Sequence, residues 1–139
     1  MRPKKIILCV DDNENELSIL KFTLATHGYR VVSANSGQEA IGIFADTTPD
    51  LVLSNYAMRP MNGDQLVNHL KQISAHVPMI LLGDPQKMGD QLHGADALLP
   101  KKTCSPHDLL ERVKAMSARK RGPRKGAPRM GTPQMAVAS

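Results

Sequence analysis

Ile6-Ile7-Leu8-Cys9-Val10 is apolar at every position and stops at Asp11-Asp12. A strand with water on one face alternates apolar and polar residues. A short run without alternation therefore belongs inside a sheet covered on both sides, which is the setting of parallel strands. Asp50-Leu51-Val52-Leu53-Ser54-Asn55 and Pro78-Met79-Ile80-Leu81-Leu82 repeat the pattern, each apolar stretch leading to a polar or small residue at its carboxyl end. Helix signals fill the intervals. Asn13-Glu14-Asn15-Glu16 supplies a cap and first-turn acids ahead of Leu17, Leu20 and Leu24 at helical spacing, and His27-Gly28 closes that helix. Arg30-Val31-Val32-Ser33-Ala34 reads as a second strand. Ser36 caps a helix through Ala40, Ile41 and Phe44, with Gln38 and Glu39 in its first turn. Beyond Gly63, the residues Leu66, Leu70 and Ile73 mark one face of a third helix. Ala97-Leu98-Leu99 is a short fifth strand, and Pro106 suits the first turn of a last helix facing inward through Leu109, Val113 and Met116.

Strands alternating with helices predict an α/β protein: a doubly wound, five-stranded parallel sheet with helices on both faces. The flavodoxin-like order 2-1-3-4-5 suits five such strands, and it places a site at their carboxyl ends. With 139 residues the chain has room for one domain with a substantial core. The net charge of +5 divides unevenly. Residues 119–139 carry six Lys/Arg and no Asp/Glu, whereas residues 1–118 carry 12 Lys/Arg and 13 Asp/Glu. The sequence thus predicts a nearly neutral domain over residues 1–118 and a basic, disordered tail over 119–139. No apolar run reaches membrane-spanning length, and Met1-Arg2-Pro3-Lys4-Lys5 does not lead into a signal-peptide core, so the expected location is the cytoplasm. The two cysteines, Cys9 in a strand and Cys104 in a loop, form no disulfide framework.

Three strand ends supply candidate chemistry. Asp11 and Asp12 follow the first strand, Asn55 ends the third, and Lys101 follows the fifth. A doubly wound sheet gathers them at one edge. Two adjacent carboxylates favour a cation between them, and Mg²⁺ prefers oxygen ligands. Elsewhere the pattern is bland. His27, His69, His76, His93 and His107 lie at no metal-ligand spacing, with His27 and His93 placed near helix C-termini. No Gly-rich phosphate loop follows the first strand, and no serine sits in a nucleophile elbow.

Val10-Asp11-Asp12, the Met58…Met61-Asn62-Gly63 turn, Pro78, and Gly94-Ala95-Asp96-Ala97-Leu98-Leu99-Pro100-Lys101 together resemble the receiver domain of two-component response regulators, over residues 4–118. The resemblance implies that Asp11, Asp12 and the carbonyl of Ala57 are the Mg²⁺ positions and that Lys101 meets a phosphoryl group. It also implies that the end of the third strand carries the phosphoacceptor aspartate, taking its phosphoryl group from a histidine kinase.

The departures from that family matter more. Asn55 stands at the acceptor position, and an amide is uncharged and a very poor nucleophile. Gly83 replaces the usual switch hydroxyl, Leu98 replaces the usual aromatic, Lys102 replaces a proline, and the proline after Met58 is displaced to Arg59-Pro60. The segment from Gly83 to Gly94 is short by about one helical turn, and Pro85 and Gly89 weaken the helix it would form. Several losses in the same direction favour a natural degenerate receiver over an engineered Asp→Asn form of an active one. The resulting expectation is a stand-alone atypical receiver that is not an enzyme. It binds a histidine kinase, another receiver or another regulator without aspartyl phosphorylation, through its first, fourth or fifth helix. Any Mg²⁺ is held more weakly than by three carboxylates, and Lys101 is expected to bridge to Asp12. Receiver-type pairing through the last two helices would make a homodimer. Residues 119–129 carry a competing reading, salt-dependent contact with nucleic acid or an anionic surface.

Overall fold

A computed structural model of the chain describes residues 4–89 and 94–118. The expectations for residues 119–139 and for His93 lie outside the described residues. Five strands form one sheet in the order β2-β1-β3-β4-β5: β1 (Ile6–Val10), β2 (Arg30–Ala34), β3 (Leu51–Asn55), β4 (Met79–Gly83) and β5 (Ala97–Pro100). All four pairings are parallel. The helices are α1 (Glu14–Thr26), α2 (Gly37–Thr47), α3 (Gly63–Ile73), α4 (Pro85–Met88) and α5 (Pro106–Ser117).

The period of two along each strand sorts the core into two layers. Leu8, Val10, Val52 and Leu81 pack with Ala40 and Phe44 of α2, Leu66, Val67 and Leu70 of α3, and Met88 of α4. On the other face, Ile7, Cys9, Leu51, Leu53 and Ile80 pack with Leu17 and Leu24 of α1 and with Leu109, Val113 and Met116 of α5. Every residue of β3 and β4 is buried, including the polar Ser54 and Asn55 that end β3. Full burial of each such aliphatic contributes about 1.5–3 kcal/mol, so the centre of the sheet carries most of the stability. Burial also pushes the Cys9 thiol up to about 12, with Lys21 a smaller opposing influence, so Cys9 is an inert core residue at neutral pH.

As the order 2-1-3-4-5 requires, β2 is an edge strand, with Arg30 exposed and Val31, Val32 and Ser33 half-buried because it has a neighbour on one side only. One expectation needs correction. Ile73 is 50% exposed rather than inward-facing. The inner face of α3 is Gly63, Leu66, Val67 and Leu70, and Ile73, the last residue of the helix, is not among its buried residues.

Local signals fix the ends of the elements. Asn13 caps α1 by accepting from the Glu16 N–H at 3.1 Å. Its other end closes at His27, whose Nδ1 lies 2.8 Å from the Thr23 carbonyl oxygen, and Gly28 (φ 94°) then takes the left-handed conformation that releases the chain into β2. Ser36 caps α2 as expected. The weakened fourth helix is a single turn, capped by Asp84 and ended by Gly89.

Candidate functional site

The carboxyl ends of β1, β3 and β5 meet, and three of the expected residues meet with them. Asp11 follows β1, is 2% exposed and is held by its own N–H donating to the Ala34 carbonyl. Its Oδ1 accepts from the Asn13 N–H at 3.0 Å and from Asn55 Nδ2 at 3.4 Å, and its Oδ2 accepts from Lys101 Nζ at 3.2 Å. Asn55 ends β3 and is 6% exposed. Its Nδ2 donates to the Ala57 carbonyl at 3.0 Å and its Oδ1 accepts from Lys101 at 2.9 Å. The chemistry of the partners fixes the orientation of this amide. A lysine ammonium only donates and a carbonyl oxygen only accepts, so the flipped amide would break both bonds.

The backbone holds this edge in place. Tyr56 N–H donates to the Leu82 carbonyl at 2.7 Å and Gly63 N–H to the Tyr56 carbonyl at 2.8 Å, while Lys101 N–H donates to the Gly83 carbonyl at 3.0 Å. Asp12 does not join the cluster: it is exposed, and Lys101 pairs with Asp11 and with Glu16 instead. This corrects the expected Lys101–Asp12 bridge. Buried Asp11 draws the ammonium inward, and the first turn of α1 brings Glu16 to its outer side, while Asp12 turns to solvent.

Glu16, a first-turn acid of the first helix by its sequence, is a site residue as well. It lies in the first turn of α1, where the helix start faces the strand ends, and its carboxylate is in close contact with Lys101. The charge that Asn55 lacks is thereby supplied from α1. Burial pulls the pKa of Lys101 down, but the bonds from Glu16 and Asp11 outweigh it and leave the lysine above its ordinary value.

The implied Mg²⁺ ligands can be tested against this geometry. Both oxygens of Asp11 already accept hydrogen bonds, the Ala57 carbonyl is taken by the Asn55 amide, and Asp12 is exposed. Among the described residues no group of three or more His, Cys, Asp or Glu is arranged to hold a metal ion. Mg²⁺ demands near-octahedral oxygen coordination, and this donor set, as arranged, does not fit it.

Gly83, the position of the usual switch hydroxyl, is filled from outside. A Cβ there would lie 2.8 Å from Tyr56 Cβ and 3.0 Å from Met88 Sδ. Leu98 is partly buried against the α2–α3 layer of the core, so the usual aromatic position is a packing position here. A Gly83→Thr substitution is expected to lower stability by about 2 kcal/mol, the cost of overpacking a filled site. Urea denaturation measures it, and an unchanged midpoint would show that Tyr56 and Met88 yield freely.

The comparisons with known proteins address the same stretch. The family model for the response regulator receiver domain matches residues 7–114. The alkaline phosphatase synthesis transcriptional regulatory protein PhoP of Bacillus subtilis is 30% identical over 119 residues, covering 83% of this chain and 49% of that protein. The chain thus spans about half the length of the curated relatives it matches. Among solved structures, a response regulator from Chloroflexus aurantiacus superposes with a TM-score of 0.76 at 28% identity, covering 84% of this chain and 100% of that one. The Thermotoga maritima response regulator protein TrrA, solved in complex with Mg²⁺–BeF, gives 0.74 at 28% identity, covering 81% and 98%. A family model, relatives in sequence and relatives in fold converge on one stretch, and the chain belongs to the response regulator receiver domains of two-component signalling.

Proposed function

We propose that the chain works in two-component signalling as an atypical receiver, a protein-binding module independent of aspartyl phosphorylation. The observation that carries this reading is the state of Asn55. It is a buried amide used as donor toward Ala57 and Asp11 and as acceptor toward Lys101, and it offers no nucleophile. Gly83 and Met88 add support, since a packed contact replaces the switch hydroxyl and the change extends beyond a single Asp→Asn exchange. The module comprises residues 1–118, followed by a basic tail at 119–139; it is not an enzyme, and Mg²⁺ is not needed for its action.

Its partner is a signalling protein such as a histidine kinase or another regulator. Of the three helices expected to dock one, the single-turn α4 offers little surface. α1 exposes Ile19 (66%) and Phe22 (72%). Beside them a cleft of about 430 Å³, lined by Ile19, Leu20, Leu82, Pro106 and Leu109, runs between α1 and α5. Exposed large apolar groups next to an apolar cleft favour this face for a partner.

The test is incubation with acetyl phosphate and Mg²⁺, followed by intact mass and peptide mapping, beside an Asn55→Asp variant. The native chain is expected to gain no phosphoryl group. One mapped to the native chain would overturn the reading, and the modified residue would become the site.

A further inference from the structure

The Asn55 amide nitrogen lies 3.0 Å from the Ala57 carbonyl oxygen and 3.4 Å from Asp11 Oδ1. These are two of the three oxygens that the family resemblance assigns to a divalent cation. We infer that the amide of Asn55 stands in the cation's place: its N–H groups bridge Asp11 to the Ala57 carbonyl, and the pocket keeps one shape without metal and excludes Mg²⁺.

The chemistry is balanced on each side of the amide. The NH₂ group has two protons and two acceptors to receive them, while the opposite oxygen accepts from Lys101. Asp11 Oδ2 is held by the same ammonium, and Glu16 completes the ammonium's partners from α1. A cation entering between Asp11 and Ala57 would have to displace a neutral, hydrogen-bonded donor whose desolvation costs far less than an ion's, and it would meet one buried carboxylate instead of two. An aspartate at 55 reverses both terms. It removes the two N–H donors and adds a carboxylate, leaving Asp11 and the Ala57 carbonyl open to a cation.

This inference concerns the pocket named under the proposed function and deepens that reading, but the two fail separately. Mg²⁺ on the native chain would overturn the inference and leave the missing phosphoacceptor in place. A phosphoryl group on the native chain would do the reverse.

The experiment is a MgCl₂ titration of the full chain to about 10 mM, against NaCl of equal ionic strength, read by thermal melting and by the ¹⁵N–¹H spectrum. For the native chain the melting temperature is expected to move by less than about 1 °C, with the Asn55 side-chain amide peaks unshifted and slow to exchange. For Asn55→Asp, a rise of about 5 °C is expected at ten times the dissociation constant, with peaks shifting at residues 11–13 and 56–58. Saturable Mg²⁺ shifts at those residues in the native chain would overturn the inference. So would an Asn55→Asp variant that folds and ignores Mg²⁺, because the amide would then not be what excludes the cation. Should the added carboxylate prevent folding, the native spectrum decides alone, through the exchange rate and Mg²⁺ response of the Asn55 amide.

Discussion

A Lys101→Met variant is expected to lose about 2–3 kcal/mol of stability, and most of that loss should return in the double variant Lys101→Met/Asp11→Asn. Methionine keeps the apolar stem and removes the ammonium. Asp11, 2% exposed, would then keep only the Asn13 and Asn55 donors, and Asn55 Oδ1 would lose its bond. Breaking a fully buried pair costs about 3–5 kcal/mol. The 30% exposure of the Lys101 side chain lets water relieve part of that. Urea denaturation of the four chains gives the coupling directly. A coupling near zero would mean that Lys101 acts through its bonds to Glu16 and Asn55 and not through Asp11. The pH dependence supplies an independent check. The lysine's pKa is raised above 10.5 in the folded chain, since its bonds to Glu16 and Asp11 outweigh its burial. A raised base contributes fully below its unfolded value and loses that contribution as pH climbs through the folded one. The gap between the native chain and the variant should therefore hold from pH 7 to about 10 and close above that range. A gap gone by pH 9 would exclude the ammonium as its source.

The site was legible in the sequence where strand ends carry it. β1 and β4 carry no charged or hydrogen-bonding side chain and β3 opens on Leu51-Val52-Leu53, so the carboxyl ends of these strands, and with them Asp11 and Asn55, fall at one edge on the sequence pattern alone. Lys101 followed from the short β5. Legibility stopped where placement depends on how one element docks on another. Asp11 and Asp12 are chemically equal in the sequence; the bond from the Asp11 N–H to the Ala34 carbonyl holds Asp11 at the buried sheet edge, and Asp12 turns to solvent. Glu16 reads as an ordinary first-turn acid, and only the docking of α1 on the sheet carries it to Lys101. Asn55 by itself signals a loss of charge. Its donors bridging Asp11 and Ala57 are a property of three chain segments together, and no spacing records it. Gly83 likewise read as an absence, whereas Tyr56 and Met88 occupy the space its side chain would need.

Glycine at position 63 ties the fold to the site, and Gly63→Ala is expected to cost about 3 kcal/mol or more. Gly63 opens α3 behind the capping box of Asn62 and Gln65, and its N–H donates to the Tyr56 carbonyl. A methyl group there would overlap the Asn55 carbonyl oxygen outright and come within 2.7 Å of Leu81 Cδ2 and 2.9 Å of Tyr56 Cα. Two of those three obstacles are main chain at the end of β3, so rotating a side chain cannot relieve them. Either α3 withdraws, uncovering Leu66, Val67 and Leu70, or the strand end carrying Asn55 shifts. Both routes disturb the amide network, so the Asn55 side-chain amide peaks should move or exchange faster along with the loss of stability. Gly42→Ala is the control with the opposite sign. Gly42 is exposed inside α2, and a Cβ there meets nothing within 4 Å, so alanine should add about 0.5–1 kcal/mol from helix propensity alone. Equal effects of the two substitutions would show that helix propensity, and not the contact of α3 with β3, governs position 63. A loss confined to Gly63→Ala, with altered Asn55 peaks, would place the determinant of the pocket's shape where α3 begins.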